Sequence, residues 1–210
     1  MMSREEARIA VAQGADAVGL VGHMPSGPGP IDDALAAEIA LVVPPPVASF
    51  LLTSFARAED IAAHLRKVGA TVVQIVRHIA VAEYPRLRAL LPGRRIVQVV
   101  HVEDEWALAL ARAYGALADA LLLDSGRPMA AVEELGGTGR AHDWDVSARI
   151  VAEAPVPVFL AGGLHAGNVA AAVARVRPYG VDLCSGVRTH GALDAGKLAA
   201  FVAALRAVES

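Results

Sequence analysis

The sequence predicts a parallel α/β fold, a TIM-type (β/α) barrel, and three observations support this class. Short apolar runs of strand length alternate with amphipathic helical segments along the whole chain. The run at 120–123 shows no polar alternation, as is typical of a strand buried on both faces of a parallel sheet. The chain has 210 residues, of which 55% are hydrophobic, so one domain spanning 1–210 can bury a large core.

The elements follow one another in strict alternation, which implies right-handed crossovers between parallel strands. Ser3, followed three residues later by Glu6, forms a capping-box pattern that predicts a first helix ending at Gly14. Strands are predicted at 17–21, 47–52, 72–76, 96–100, 120–123, 158–161 and 181–184. Later helices are predicted at 31–42, 58–68, 80–91, 103–114, 144–153, 167–176 and 194–208. The number of units favours a barrel over an open doubly wound sheet.

The count of strands is odd for a barrel. About seven predicted strands accompany eight helices, whereas the usual barrel has eight of each. The missing first strand would precede Ser3. A gap of this kind leaves two unpaired sheet edges, which proteins usually cover. We therefore expect either a start upstream of Met1 or a homodimer that forms through the open barrel edge.

Composition excludes several classes of partner. A net charge of -3 without a Lys/Arg cluster argues against nucleic acid and anionic membrane. No apolar run is long enough to cross a bilayer, and the charged start has no signal-peptide core. The lone Cys184 excludes an internal disulfide and fits a cytoplasmic protein. Because no GxGxxG opens a helix directly after a strand, we predict no dinucleotide cofactor.

One strand ends in an acid, and this residue is the first catalytic candidate. A carboxylate is costly to place at the end of a buried strand, and the carboxyl ends of parallel strands are where such folds do chemistry. Asp124 occupies that place. The glycine-rich loop that follows is predicted to close over the substrate through residues Gly136, Gly137, Thr138 and Gly139.

Two later loops have the composition of an anion site. Gly162 and Gly163 follow one predicted strand, and Ser185, Gly186 and Val187 follow the next. Barrels often bind phosphate with backbone N–H groups of the loops after their last two strands. The alternative is that these glycines only form tight turns. Their recurrence on successive strands favours phosphate, and a small phosphorylated metabolite is the partner that we expect.

Histidines concentrate after predicted strands, where a barrel carries its chemistry. Six of the seven do so, namely His23, His78, His101, His142, His165 and His190. Imidazole is a common metal ligand, but no HxH or HxxxH pair is present, so we predict no metal site. A general base is the alternative, with His23 and His101 as the candidates.

Asp182 and Cys184 lie two residues apart in a predicted strand, so both side chains point to the same side. An inward Asp182 would face the substrate, whereas an outward Asp182 would need a partner beneath a helix. Both orientations are open from the sequence. A buried cysteine usually packs as a small hydrophobic residue, and this is the expectation for Cys184.

Together these motifs resemble the phosphoribosylanthranilate isomerases, tryptophan-pathway barrels that perform an Amadori rearrangement. The likeness covers essentially the whole chain and rests on GADAVG from Gly14, LLLD ending at Asp124, GGTG from Gly136, AGGL from Ala161 and VDLCSGV from Val181. The resemblance implies that Asp124 is the general acid that protonates the ribose ring oxygen. It also implies that the glycine loops form the phosphate site.

The first half departs from the family pattern. Family members begin with a strand carrying Lys-Ile-Cys-Gly, whose Cys is the general base, and this chain begins after that motif. Gly29 stands about where the family has an Arg for the anthranilate carboxylate, and Gln-Leu-His-Gly becomes the segment from Gln74 to Arg77. The chain is therefore an isomerase of this family, a divergent paralogue acting on another phosphorylated metabolite, or a non-catalytic phosphate-ester-binding barrel.

Overall fold

Seven parallel strands form the central sheet of the described residues, and their order in the sheet is their order in the chain. The computed structural model describes residues 1–25, 29–126 and 143–209. The strands are β1 (Ala17–Val21), β2 (Ala48–Thr53), β3 (Val72–Ile75), β4 (Arg95–His101), β5 (Ala120–Asp124), β6 (Val158–Leu160) and β7 (Gly180–Val181). This sequential order is that of a (β/α) barrel, whereas a doubly wound sheet reverses its order. The predicted fold class is confirmed.

Eight α-helices lie within the described residues and alternate with the strands. They are α1 (Arg4–Ala12), α2 (Asp33–Val42), α3 (Ala58–Val68), α4 (Glu83–Leu90), α5 (Trp106–Gly115), α6 (Trp144–Glu153), α7 (Val169–Val176) and α8 (Ala195–Glu209). Helix α1 begins after Ser3, whose hydroxyl accepts a hydrogen bond from the Glu6 N–H at 3.1 Å, as the capping-box pattern predicts. Helix α3 ends at Gly69, whose φ of 75° suits glycine.

The core consists of two layers, one on each side of the sheet. Outward-facing strand residues such as Leu51, Leu121 and Leu123 pack with the helices. A smaller cluster fills the inside of the curled sheet, and we call it the lumen layer: Val72, Val76, Val97, Val99, Ala120, Leu122 and Ala161, with Phe159 among the residues packed against it. Successive side chains of a strand point alternately to these two layers. A residue two or four positions after a member of the lumen layer on the same strand therefore also points into the lumen.

The end of the chain differs from the prediction. Strand β7 covers two residues, Gly180–Val181, rather than 181–184, and a 3-10 turn follows at Ser185–Val187. An antiparallel pair of short strands, β8 (Arg188–Thr189) and β9 (Ala192–Leu193), then precedes α8. The sequence-based interpretation missed this pair because each strand has only two residues, too few to show a hydrophobic period.

A buried ion pair joins the two ends of the sheet. Arg188, after the 3-10 turn, contacts Glu6 of α1 at 2.9 Å, and both side chains are mostly buried. The Leu193 N–H donates to the same carboxylate at 3.0 Å. Burial alone would raise the pKa of Glu6, but hydrogen bonds from Arg188 and from the Leu193 and Met2 N–H groups lower this pKa to about 2. Helix α1 is thus held against the segment that follows β7.

Candidate active site

The carboxyl ends of the strands meet at one rim of the sheet, and two of the predicted catalytic residues lie there side by side. In the parallel register of β4 and β5, His101 is opposite Asp124. The pairing continues past the strand end, because the Val102 N–H donates to the Asp124 carbonyl at 2.9 Å. The register of two neighbouring strands therefore brings the predicted acid next to one of the two predicted bases.

Asp124 belongs to the inner side of the sheet. Ala120 and Leu122 are members of the lumen layer, and alternation along β5 places Asp124 on the same side. The Ser125 N–H donates to its Oδ1 at 2.7 Å and orients the carboxylate at the rim. Asp124 is half-buried, so a ligand in the mouth of the curled sheet can reach its carboxylate.

Asp182 also faces inward, which is one of the two orientations left open by the sequence. Its N–H donates to the Leu160 carbonyl at 2.8 Å, so the ladder between β6 and β7 continues for one residue beyond β7. A Cβ on Gly180 would lie 2.9 Å from the ring of Phe159, which packs on the lumen layer. Because Gly180 faces the lumen, Asp182 two residues later faces it too.

The two inward carboxylates interact electrostatically. Asp182 retains solvent-accessible surface, but surrounding protein atoms desolvate its carboxyl group. This desolvation and the negative charge of Asp124 raise the pKa of Asp182 to about 6, while the Leu183 N–H and the Met1 ammonium act in the opposite direction. The pair thus binds a proton more tightly than an isolated aspartate does.

His101 is a neutral imidazole beside this pair. It is 3% exposed, and its Nε2 lies 2.8 Å from the Val76 carbonyl, which only accepts hydrogen bonds, so the ring proton is assigned to Nε2. Nδ1 is buried and has no hydrogen-bond partner in the part of the chain that the structure describes. Burial lowers the pKa of His101, although the Val76 carbonyl and Asp124 oppose the shift.

A second histidine that sequence reasoning did not select lies against the first. The ring of His78 is 5.3 Å from that of His101 and 5.9 Å from that of Tyr114, measured between centroids. Burial, followed by the charge that His101 would carry, lowers the pKa of His78 to about 4. His101 therefore adds to the effect of burial in suppressing the protonation of His78. The only sequence signal for His78 was its position after a predicted strand.

A buried polar network fixes the segment between β3 and these histidines. Gln98, fully buried in β4, donates to the carbonyl of Arg77 at 3.0 Å and to that of Ile75 at 3.2 Å. Tyr84 of α4 donates its hydroxyl proton to Gln98 Oε1 at 2.5 Å. The only hint of this network in the sequence is a glutamine inside an otherwise apolar strand.

His23, the other predicted base, follows β1. The residue is exposed, and its carbonyl accepts a hydrogen bond from the Ser54 hydroxyl at 2.7 Å. Strands β2 and β3 separate β1 from β4, so strand pairing does not bring His23 next to His101. Of the two candidates, the sheet register places only His101 beside Asp124.

The two loops predicted to bind phosphate lie against each other. Gly162 and Gly163 adopt φ values of 83° and 64°, a conformation that favours glycine. A Cβ on Gly186 would lie 2.0 Å from the Leu164 carbonyl oxygen, so glycine is required for the two loops to approach this closely. Ser185 and Val187 are the ends of the 3-10 turn that contains Gly186.

Asn168 stabilises the first of these loops. Its side-chain amide donates to the Gly163 carbonyl at 3.0 Å and accepts from the His165 N–H at 2.8 Å. It precedes α7 but makes no side-chain capping hydrogen bond. The side chain therefore holds the loop after β6 in shape.

Some predicted positions lie outside the described residues. These are the proposed substrate-closing residues Gly136, Gly137, Thr138 and Gly139, and also His142. Gly29 is described and has a φ of 96°, a conformation that arginine, the family residue at about this place, rarely adopts. Cys184 is exposed rather than buried as expected, because it lies in the connection that leads from β7 to the 3-10 turn.

Neither a metal cluster nor a membrane span is seen in the described ranges. No three His, Cys, Asp or Glu side chains of residues 1–25, 29–126 and 143–209 converge as metal ligands. No helix in those ranges is both long and apolar enough to cross a bilayer.

Inward acids at the rim of parallel strands, with glycine loops after the last two strands, define a (β/α)-barrel enzyme site. A family model for N-(5'-phosphoribosyl)anthranilate (PRA) isomerase matches residues 53–204. The N-(5'-phosphoribosyl)anthranilate isomerase of Haloferax volcanii is 40% identical over 200 residues, which span 93% of this chain and 85% of that protein. The chain belongs to the phosphoribosylanthranilate isomerase family.

Solved structures of phosphoribosyl anthranilate isomerases superpose on this chain. Phosphoribosyl anthranilate isomerase from Thermotoga maritima superposes with a TM-score of 0.83 at 26% identity, over 99% of this chain and 96% of that one. Another phosphoribosyl anthranilate isomerase structure, in complex with reduced 1-(o-carboxyphenylamino)-1-deoxyribulose 5-phosphate, has a TM-score of 0.81 at 24% identity, over 99% and 95% of the two chains. At that identity the second likeness supports the fold.

The contact between the two glycine loops yields a first prediction. In Gly186→Ala the new methyl group would overlap the Leu164 carbonyl, so the loops must separate. We expect a loss of about 1–3 kcal/mol in the free energy of unfolding, and a dissociation constant for inorganic phosphate at least about tenfold higher. Urea unfolding and isothermal titration measure the two effects. Gly196→Ala in helix α8 is the control, and equal phosphate affinity in both variants would contradict the prediction.

The histidine pair yields a prediction about acid stability. The pKa of His78 is about 4 in the folded protein, whereas its ordinary value is 6.5. Between these pH values His78 is therefore protonated in the unfolded chain but not in the folded protein. The contribution of His78 to stability should therefore fall as the pH drops from about 6.5 to about 4, by at most about 3 kcal/mol, while the raised pKa of Asp182 acts in the opposite direction over the same range. Urea titrations of the natural sequence and of each variant at several pH values isolate the histidine contribution as a difference. His78→Gln should gain stability relative to the natural sequence as the pH falls, and exposed His190→Gln should not; an unchanged difference in His78→Gln would refute the assignment.

Proposed function

We propose that this chain isomerises N-(5'-phosphoribosyl)anthranilate, an aldose-to-ketose (Amadori) rearrangement, with Asp124 as the general acid. The observation that carries the proposal is the inward Asp124 at the rim of β5 in a member of this family. Opening the ribose ring requires a proton on the ring oxygen. A carboxyl group positioned for that transfer contributes roughly 10²–10⁴-fold to the rate.

The surroundings of Asp124 suit an acid. Asp182 adds a negative charge nearby, which favours a shared proton on the pair over two ionised carboxylates. His101 would stabilise an ionised Asp124 if it were positively charged, but its burial keeps the imidazole neutral. In this account His101 shapes the electrostatics of the acid rather than accepting the substrate's proton.

The phosphate of the substrate is proposed to bind at the loops after β6 and β7. Gly162 and Gly163 allow the backbone of the first loop to approach an anion closely, and Gly186 brings the second loop against it. With the phosphate held there, the ribose extends toward Asp124 and Asp182. Closure of Gly136–Gly139 over the substrate is part of the proposal and concerns residues outside the described ranges.

The direct test is turnover of freshly prepared phosphoribosylanthranilate, followed by the loss of anthranilate fluorescence. We expect turnover by the natural sequence and a kcat lower by about 10²–10⁴-fold in Asp124→Asn. Asp16→Asn, an exposed carboxylate before β1 at the opposite end of the sheet, is the matched control and should keep full activity.

Two outcomes would overturn this assignment in different ways. Turnover of another sugar phosphate but not of phosphoribosylanthranilate would indicate a divergent paralogue. Phosphate-ester binding without any turnover would indicate a non-catalytic barrel. Equal turnover by Asp124→Asn and the natural sequence would remove Asp124 from the mechanism.

We also propose that the protein works in the cytoplasm, because a reducing compartment suits a chain with a single cysteine.

We further propose that two copies of the chain associate through the open edge of the curled sheet. Strands β1 and β7 each pair with one neighbour within the described residues, and unpaired edges favour strand addition. A Thermotoga maritima relative is described as a dimeric phosphoribosylanthranilate isomerase. Light scattering should give twice the 21.7 kDa chain mass, whereas a monomer at micromolar concentration would contradict this proposal.

A further inference from the structure

We propose that His165 is a positioning residue of the phosphate site. Its imidazole accepts a hydrogen bond in the turn before α7 and thereby fixes the loop after β6, whose backbone N–H groups are proposed to hold the phosphate. The inference rests on the proposed function, because it concerns the phosphate site for the same substrate. It gives a role to a histidine that the sequence marks only by its place in a loop after a predicted strand.

The imidazole of His165 is bonded to its own turn. The Gly167 N–H donates to His165 Nδ1 at 3.1 Å, so this nitrogen carries a lone pair and the proton of the neutral ring is assigned to Nε2. The next two N–H groups, those of Asn168 and Val169, donate to the His165 carbonyl at 3.0 Å. A side chain that accepts from an N–H at the start of a helix acts as a cap. His165 therefore caps the turn that leads into α7.

Glycine at 167 lets the ring come this close. A Cβ on Gly167 would lie 3.2 Å from both Cε1 and Nδ1 of the His165 ring, so a larger residue would press on the imidazole. The ring itself is exposed, and it packs against the turn rather than into the core. The hydrogen bond from Gly167 is thus the contact through which the imidazole acts.

Asn168 connects this cap to the loop after β6. The His165 N–H donates to the side-chain oxygen of Asn168 at 2.8 Å, and the side-chain amide of Asn168 donates to the Gly163 carbonyl at 3.0 Å. We call these two residues, His165 and Asn168, the loop clamp. The C=O and N–H of a trans peptide point in opposite directions. Holding the Gly163 carbonyl toward Asn168 therefore directs the Leu164 N–H away from Asn168.

The loop clamp also supports the second loop of the proposed site. A Cβ on Gly186 would lie 2.0 Å from the Leu164 carbonyl oxygen and 3.1 Å from the Cβ of His165. The Leu164 carbonyl lies against Gly186, while the His165 N–H of the same peptide bonds to Asn168 on the other side. A displacement of His165 therefore changes the surface on which Gly186 rests.

A loop that is fixed before the ligand arrives binds an anion more tightly. Gly162 and Gly163 have φ values of 83° and 64°, and glycines leave the backbone wide conformational freedom. Without the loop clamp the phosphate itself would have to order this segment, and the entropy lost would reduce affinity. Asp124 belongs to β5, outside this loop. We therefore expect the clamp to affect phosphate binding equally in the ground and transition states, which raises KM and leaves kcat unchanged.

The experiment compares the natural sequence with His165→Ala, His165→Asn and His165→Gln. Isothermal titration gives the dissociation constant of inorganic phosphate, and turnover of phosphoribosylanthranilate gives KM and kcat. His165→Ala should raise the dissociation constant and KM by about 2–10-fold, as expected for one hydrogen bond, with kcat within about twofold. His165→Asn should restore the affinity, because an Asn side chain accepts from the N–H two residues further on. His165→Gln, whose amide reaches about as far as Nε2, should not. Exposed His190→Asn is the control and should behave like the natural sequence.

Gly167→Ala perturbs the same hydrogen bond from the other side. The new methyl group would push the ring away from the backbone N–H and should raise the dissociation constant of phosphate. In His165→Ala the ring is absent, so adding Gly167→Ala should have no further effect. Additive effects of the two substitutions would contradict the loop clamp. Circular dichroism confirms that each variant is folded.

The outcomes separate this inference from the proposed function. If phosphoribosylanthranilate is not turned over, but phosphate binding weakens in His165→Ala and recovers in His165→Asn, the proposed function fails and the loop clamp stands. If turnover occurs and all variants bind phosphate like the natural sequence, only the inference is overturned. Recovery in His165→Gln but not in His165→Asn would also overturn it, because the imidazole would then act through Nε2. Absence of phosphate binding by the natural sequence would overturn it outright.

Discussion

The candidate site depends on the repulsion between two carboxylates held inside one end of a curled sheet. Asp124 and Asp182 point into the same lumen from strands separated by β6, and the pKa of Asp182 is raised to about 6 by desolvation of its carboxyl group and by this repulsion. Two ionised carboxylates so placed weaken the folded protein at neutral pH. Natural proteins accept such a cost at sites where a shared proton serves the chemistry.

The rest of the structure keeps this pair in place at the rim of the sheet. The apolar lumen layer lies beneath the pair, and the neutral histidines His78 and His101 lie beside it at the ends of β3 and β4. Gln98 holds the chain after β3 through two carbonyls. The ion pair between Glu6 and Arg188 fixes the segment after β7 against α1, so Asp182 is braced from the side opposite Asp124.

The sequence alone predicts those parts of the molecule that are set by local patterns of apolar and polar residues. Buried parallel strands are continuous apolar runs, which is why strands β1 to β6 and the acid at the end of β5 were predictable. The contact between His78 and His101, the direction of Asp182 and its interaction with Asp124 depend on strand register between distant segments. No local pattern encodes that register. The two-residue strands β7, β8 and β9 were missed or misplaced because they are shorter than one period of any hydrophobic pattern.

The most direct measurement is an NMR titration of the aspartate side-chain carboxyl carbons in 13C-labelled protein, in the natural sequence and in Asp124→Asn. We expect one aspartate resonance that titrates near pH 6, is absent in Asp182→Asn, and moves to lower pH when Asp124 loses its charge. If every aspartate titrates near its ordinary value of about 3.9, or if the Asp182 resonance is unaffected by Asp124→Asn, the coupled pair at the centre of this account does not exist.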